Sequence, residues 1–362
     1  MIRCTNCRQP YPEESIPYRC PICGGIYDLA FPISFDAQQI ESSLPGIWRY
    51  RNSFDLSKDA PVITLGEGNT PLIWSEAFDR EIAFKLEFLN PTGSFKDRGT
   101  APFVSFLRSR SVKAAVEDSS GNAGASFAAY AAAAGIKGRV YVPEYASGPK
   151  LAQIEAYGAE VVSVTGPRSA ATEAAQRFVA EGSVYASHAN LPHYMSGYAT
   201  IAYELVEQLG KTPGTVISPA GQGNLLLGIG RGFEALKSAR IIQQMPKLIG
   251  VQALACAPLW ATFCQGEQGY RQVNECPTLA EGVRVRKPLR LNPLIQFVVA
   301  NGGKFCAVAE KDILSSQSQL ARRGLYVEPT SAIVWNALEQ VVSEIPEPIV
   351  VILTGSGLKA AI

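Results

Sequence analysis

From about residue 81 onward this 362-residue chain alternates two textures, and that rhythm constrains its fold more than any other feature. Short β-rich runs fall at residues 81–89, 114–117, 138–142, 160–164, 215–218, 248–252 and 349–353. Alanine-rich helical stretches lie between them, at 123–134, 149–157, 169–180, 196–209 and 223–236. Strand alternating with helix predicts an α/β fold with doubly wound parallel sheets covered by helices on both faces. Such sheets take ligands at the carboxyl ends of their strands, where loops lead into helices.

Composition narrows the classes of function. Thirty-three basic and 32 acidic residues leave a net charge of +1. No polyanion-neutralising surface is expected, hence no nucleic-acid partner. The longest apolar runs, 126–136 and 349–353, are too short for a bilayer, so no membrane association is expected. The N-terminus opens on a cysteine pair instead of a basic and then apolar leader, which predicts a cytoplasmic protein with reduced thiols.

Four cysteines crowd the first 23 residues: Cys4, Cys7, Cys20 and Cys23. The pattern is C-x2-C, twelve residues, C-x2-C. Two-residue spacing lets a turn aim both sulfurs at one ion, and two such turns make a closed tetrahedral thiolate site suited to structural zinc. A redox dithiol pair is the other reading, although no thioredoxin-like context surrounds it. Arg3, Arg8 and Arg19 are offset by Glu13, Glu14 and Asp28, so the ribbon carries no basic stripe. Cys256, Cys264, Cys276 and Cys306 are scattered and read as buried free thiols.

Three strand-to-helix loops carry unusual chemistry. In the first, Asn90 to Gly99, Lys96 falls in the first turn of a helix, where the macrodipole disfavours a cation and depresses an amine's pKa. That suits a lysine forming a Schiff base with an aldehyde cofactor; a solvated lysine is the plain alternative. The second, Asp118-Ser-Ser-Gly-Asn-Ala-Gly124, is either an anion cradle for a carboxylate or an ordinary Ser/Asn helix cap. The third, Pro219-Ala-Gly-Gln-Gly-Asn-Leu225, lets amides approach a phosphate. As a dinucleotide fingerprint it lacks the third glycine and an acid at the end of the run 248–252.

Together these residues resemble the fold type II (tryptophan synthase β) family of pyridoxal-phosphate enzymes, most closely its threonine-synthase branch. The resemblance extends over nearly the whole chain. It includes Leu65-Gly-Glu-Gly-Asn-Thr-Pro-Leu72, the Pro91-Thr-Gly-Ser-Phe-Lys-Asp-Arg-Gly99 run and the closing Leu353-Thr-Gly-Ser-Gly-Leu-Lys359. It implies that Lys96 carries the cofactor and shuttles a proton, with Phe95 beside it. Asn122 then bonds the cofactor's 3-hydroxyl. Gly221, Gln222, Gly223, Asn224 and Leu225 hold its phosphate, and Thr354 meets its pyridine nitrogen. Ser119, Ser120 and Ala123 fall where a substrate α-carboxylate is held. Lys150 matches a lysine that reaches a substrate phosphate, or else is a surface lysine at a helix start.

One stretch departs from the family. Where an arginine and a lysine would hold the phosphate of O-phosphohomoserine, this chain has Tyr194 and Ala199. Each lost charge-assisted bond costs ~1.5–3 kcal/mol. His188 and His193, the only histidines, lie in the same stretch. Their spacing and Pro192 speak against a metal pair; His188 is read as facing a polar or anionic leaving group, the alternative being a hydrogen-bonded loop histidine.

The expected organisation is a zinc ribbon at 1–30, a large cofactor-binding domain at 31–105 and 200–362, and a small substrate-side domain at 106–199. Residues 27–59 read as an arm and 279–293 as a surface crossing. The expected activity is elimination or replacement on a substituted amino acid, foremost threonine synthesis from O-phosphohomoserine and water. A dehydratase-like or cysteate-synthase-like β-eliminase or β-replacement enzyme, and a non-catalytic zinc-ribbon scaffold, are the alternatives. The resemblance implies a homodimer.

Overall fold

The structure is a computed structural model and describes residues 2–179 and 183–360. Its strands are β1 Ile2–Cys4, β2 Tyr27–Leu29, β3 Leu72–Ala77, β4 Arg80–Lys85, β5 Ala114–Glu117, β6 Lys137–Pro143, β7 Glu160–Val164, β8 Val184–Tyr185, β9 Thr215–Pro219, β10 Lys247–Ala253, β11 Lys304–Val308 and β12 Ile349–Ile352. Its helices are α1 Lys96–Ser109, α2 Asn122–Ala133, α3 Pro149–Ala156, α4 Arg168–Val179, α5 Tyr194–Leu209, α6 Asn224–Ser238, α7 Pro258–Gln272, α8 Leu291–Ala300, α9 Glu310–Ala321 and α10 Pro329–Val341.

The chain divides into two compact units. Among the described residues, the first comprises 2–68, 90–179 and 183–197; the second comprises 69–89 and 198–360. This division differs from the sequence-based domains in placing 31–68 and 90–105 with 106–197.

In the first unit a four-stranded parallel sheet runs in the order β7-β6-β5-β8. Helix α2 packs beside α1. It is built of small residues and is buried on nearly all sides, as a helix without a polar face must be. The Ser126 hydroxyl donates to Thr100 Oγ1 at 2.8 Å and ties the two helices together. The ribbon belongs to this unit: β1 and β2 pair antiparallel, and Ile2, Cys4, Cys20 and Tyr27 form its small core. Residues 27–59 are better packed than an arm. A 3-10 segment at Gly46–Ser53 buries Ile47, Trp48 and Tyr50.

The second unit holds a six-stranded sheet ordered β11-β10-β9-β12-β4-β3, parallel except for β3 against β4. Ile349–Ile352 is buried throughout, as an apolar central strand of a doubly covered sheet should be. The predicted strand at 81–89 ends at Lys85, after which Glu87–Leu89 turns as a 3-10 segment. The predicted helix at 169–180 is α4; Ala180 lies outside the described residues. Residues 279–293 are not a plain surface crossing, because Ala280, Val283 and Arg290 are buried. Cys256 and Cys306 are buried as expected, but Cys264 and Cys276 are exposed.

A fully buried ion pair, Lys85 Nζ to Glu204 Oε2 at 2.7 Å, fixes the start of this unit. Glu204 also accepts from the Asn69 amide, and Lys85 donates to the Thr70 carbonyl, so the Asn69-Thr70 bend is pinned from both partners.

Candidate active site

Lys96 is the first residue of α1 and is partly buried. Its amine lies 5.0 Å from the centre of the Phe95 ring. The loop before it is closed by Asp97, whose buried carboxylate accepts from the Thr92 amide at 2.7 Å and the Thr92 hydroxyl at 2.6 Å. The Ser94 hydroxyl is buried and has no hydrogen-bond partner among the described residues.

The Ser119–Gly124 loop leaves the carboxyl end of β5 and enters α2. The helix starts at Asn122 with Gly121 as its N-cap, and no side chain caps it. Gly121 has no side chain with which to cap the helix, and a helix start placed there is where an anion can be received. Ser119 is buried and its hydroxyl accepts from the Gly121 amide at 3.3 Å; Ser120 is partly buried and Ala123 buried. The tightness of the bend demands Gly124, where a Cβ would sit 1.8 Å from the Ser119 carbonyl oxygen. Lys150 is the second residue of α3, partly buried in its first turn.

A residue that the sequence reading passed over stands at the head of this loop. Glu117, the last residue of β5, is 1% exposed. Its Oε1 lies 2.8 Å from His188 Nδ1, while its Oε2 has no partner among the described residues. Burial, then the neighbouring Asp118, holds this carboxyl well above the ordinary range, against the opposing pull of Lys96 and Arg168. Burial, with the Lys96 and Arg168 charges, drives the His188 imidazole well below its ordinary value. Lys96, Glu117 and His188 thus form one electrostatic group. The signal in the sequence was an acid at the carboxyl end of a parallel strand, immediately before a glycine-containing loop.

In the second unit, the glycine loop follows β9 and opens α6. Gly223 is the N-cap in the left-handed region at φ 83°, again without a side-chain cap. A Cβ there would meet Leu294 Cδ2 at 2.2 Å, and one on Gly221 would meet the Gly282 carbonyl oxygen at 2.7 Å. Gln222 Oε1 accepts from the Leu289 amide at 3.2 Å, while Asn224 and Leu225 are buried at the helix start. Thr354 follows β12, the strand beside β9. Its amide donates to Ser331 Oγ at 2.8 Å, and its buried hydroxyl has no partner among the described residues. Gln252 stands at the end of β10, where a dinucleotide site would want an acid. Its Nε2 donates to the Ala220 carbonyl, and its Oε1 accepts from the Leu259 and Trp260 amides.

The sulfurs of Cys4, Cys7, Cys20 and Cys23 all lie within 4.8 Å of one another, with Cys4 and Cys23 at 3.5 Å and Cys7 and Cys20 at 3.6 Å. Burial raises the Cys20 thiol, but the Ile22 and Cys23 amides and the Cys7 and Cys23 thiols outweigh it and bring it down to about 6. Backbone amides of Asn6 and Cys7 point at Cys4 in the same way.

The first unit carries α2, whose N-cap makes no side-chain bond, after β5, and Lys96 in the first turn of α1; the second carries α6, likewise without a side-chain cap, after β9: an α/β enzyme with loops at the carboxyl ends of parallel strands. Residues 63–355 match the pyridoxal-phosphate dependent enzyme family, and the chain belongs to it. It is 32% identical to the threonine synthase of Methanocaldococcus jannaschii over 99% of this chain and 92% of that protein. It is 32% identical to the threonine synthase of Synechocystis sp. over 86% of this chain and 82% of that protein. Among solved structures, a threonine deaminase from T.th. superposes with a TM-score of 0.68 at 26% identity, covering 81% of this chain and 94% of that one. Maize serine racemase shares the fold at 22% identity and the same TM-score.

The residues fit a phosphate-bearing aldehyde cofactor. In the second unit α6 opens on a glycine loop whose N-cap makes no side-chain cap bond, and the buried Thr354 hydroxyl has no partner among the described residues; in the first unit, taken by itself, Lys96 stands in the first turn of α1.

Proposed function

We propose that the chain catalyses a pyridoxal-phosphate-dependent elimination and replacement on a substituted amino acid, foremost the conversion of O-phosphohomoserine and water into threonine and phosphate. One observation carries this reading: a lysine at the start of α1, locked by the Asp97–Thr92 closure, in a chain about a third identical to curated threonine synthases along almost its full length. Bound pyridoxal phosphate would supply the electron sink that makes the substrate's α-hydrogen acidic.

The chain's own residues do the rest. Lys96 holds the cofactor and, once released, carries the proton taken from the substrate. Phe95 flanks it. Gly221, Gln222, Gly223, Asn224 and Leu225 take the cofactor's phosphate, Asn122 its 3-hydroxyl and Thr354 its ring nitrogen. Ser119, Ser120 and Ala123 receive the substrate α-carboxylate, with Lys150 and His188 toward its side chain. The four N-terminal cysteines bind structural zinc, their sulfurs spaced near the separation that Zn–S bonds of ~2.3 Å give in a tetrahedron. The protein works in the cytoplasm as a homodimer.

A second reading is favoured by a specific observation. The Tyr194 hydroxyl donates to the Ala186 carbonyl at 2.8 Å and its ring stacks on Phe103. It is committed to packing and does not substitute for an arginine toward an anion. This supports a β-eliminase or β-replacement enzyme on another amino acid. The purified protein with pyridoxal phosphate is to be offered O-phosphohomoserine, phosphoserine, threonine and serine, with products identified. Threonine and phosphate from O-phosphohomoserine, at a rate matching or exceeding the others, supports the first reading; turnover of the others alone supports the second.

A further inference from the structure

The carboxyl edge of the four-stranded sheet brings together two side chains that no assignment above uses as a pair. Glu117 ends β5, and His188 follows β8, its parallel neighbour. The Ala186 amide donates to the Val116 carbonyl at 2.7 Å, so the two strands stay in register up to the pair. Glu117 Oε1 and His188 Nδ1 are then 2.8 Å apart. The His188 side chain is 16% accessible and that of Glu117 1%. One member of the pair is therefore reachable and the other sealed behind it. The loop that continues from Glu117 carries Ser119 and Asn122.

We infer that Glu117 and His188 form a proton relay that protonates an oxygen leaving group of the amino-acid substrate, with His188 as the catalytic acid and Glu117 as the proton reserve behind it. The inference rests on the proposed function and deepens it.

The directions in which the two groups are pushed agree with one arrangement. Burial pushes the Glu117 carboxyl up and the His188 imidazole down; the relay accordingly has the carboxyl donate its proton to Nδ1 and places the ring hydrogen on Nε2. As the carbon–oxygen bond breaks, its electron pair goes to the departing oxygen, which takes the Nε2 proton. Nδ1 takes the proton of Glu117 Oε1. The carboxylate left behind is stabilised by Lys96, which has just gained the proton removed from the substrate; Arg168 is the second cation facing the pair, and Asp118 the opposing acid. Protons and charge balance, and the buried group never holds an isolated charge. The relay also meets the loss of the two basic residues at Tyr194 and Ala199, because a neutral donor that gives up its proton needs no fixed cation.

The holoenzyme tests this through leaving-group dependence. Glu117→Gln keeps a donor toward Nδ1 but has no proton to transfer. It should lower kcat for a phosphate or hydroxyl leaving group by about 10²-fold or more, with KM changed less than about twofold. For 3-chloroalanine, whose chloride departs without a proton, kcat should fall no more than about threefold. His188→Gln should give the same contrast. Because His188 and His193 are the only histidines, nitrogen-15 histidine NMR reads the tautomer directly. Hydrogen on Nε2 in both the wild type and Glu117→Gln is expected. Hydrogen on Nδ1, or equal losses for oxygen and chloride leaving groups, or no loss for either, overturns the relay while the proposed function stands. A wild-type protein that turns over neither class overturns the proposed function, and the relay with it.

Discussion

Thr92 closes the Lys96 loop on Asp97 with two short bonds, amide and hydroxyl to the two oxygens of one buried carboxylate. The acid next in sequence to the lysine is thereby fixed from five residues upstream, and the lysine's backbone with it. Asp97→Ala removes both bonds and strands two buried donors. It should destabilise the protein by about 3 kcal/mol, read as a lower urea midpoint, and should weaken retention of pyridoxal phosphate through dialysis. Unchanged stability would contradict the closure.

Lys96→Ala should abolish the visible absorption that appears when the wild type is mixed with pyridoxal phosphate, while leaving the far-ultraviolet circular dichroism unaltered. Persistence of that band would place the cofactor on another amine.

Gly223→Ala forces a side chain into the left-handed region and against Leu294. The backbone cost alone is ~1–2 kcal/mol, or about tenfold in an equilibrium. Affinity for pyridoxal phosphate, followed by absorbance titration, should fall at least that much. The double variant with Leu294→Ala removes the clash but not the backbone cost, so it should recover only part of the loss.

Cys4→Ser should reduce bound zinc in elemental analysis and lower the melting temperature, without changing the cofactor spectrum of the surviving folded protein. A chelator should do the same to the wild type. A normal melting temperature after complete metal removal would contradict a structural role.

His193 is buried against Phe106, with ring centres 4.2 Å apart, and against Tyr11. Burial, and secondarily the Arg110 charge, drops its imidazole to about 3. A lowered histidine pKa contributes stability that is present above the unfolded value near 6.5 and is lost as pH falls toward 3. The slope is about 1.4 kcal/mol per pH unit for this one proton. Unfolding free energy measured between pH 6.5 and 4.5 should show this slope, and His193→Gln should flatten it by one proton.

The alternation of β-branched runs with alanine-rich stretches made the parallel sheets legible, because period and composition are local properties. The β3–β4 hairpin was not. Its two-residue turn is Phe78-Asp79, both at positive φ, in a position where Asn-Gly would have announced it. Helices α7 to α10 were passed over, since they lack the alanine-rich texture by which the earlier helices stood out. In the site, Lys96 and the glycine loop stood out because their residue types are costly where they occur. Glu117 did not, since a strand-ending acid becomes unusual only when its neighbour across the sheet is known. Lys85 and Glu204 were equally silent: 119 residues separate them, and each alone looks like a surface charge.

Gln252 gives with one end of its amide and takes with the other, holding the Ala220 carbonyl on one side and the first amides of α7 on the other. Neither a carboxylate nor a hydroxyl can face both ways at that span. The glycine loop and a helix that carries none of the proposed chemistry are therefore latched by a single polar group. Glutamate at this position, only one atom different, would repel the carbonyl and leave the latch half undone.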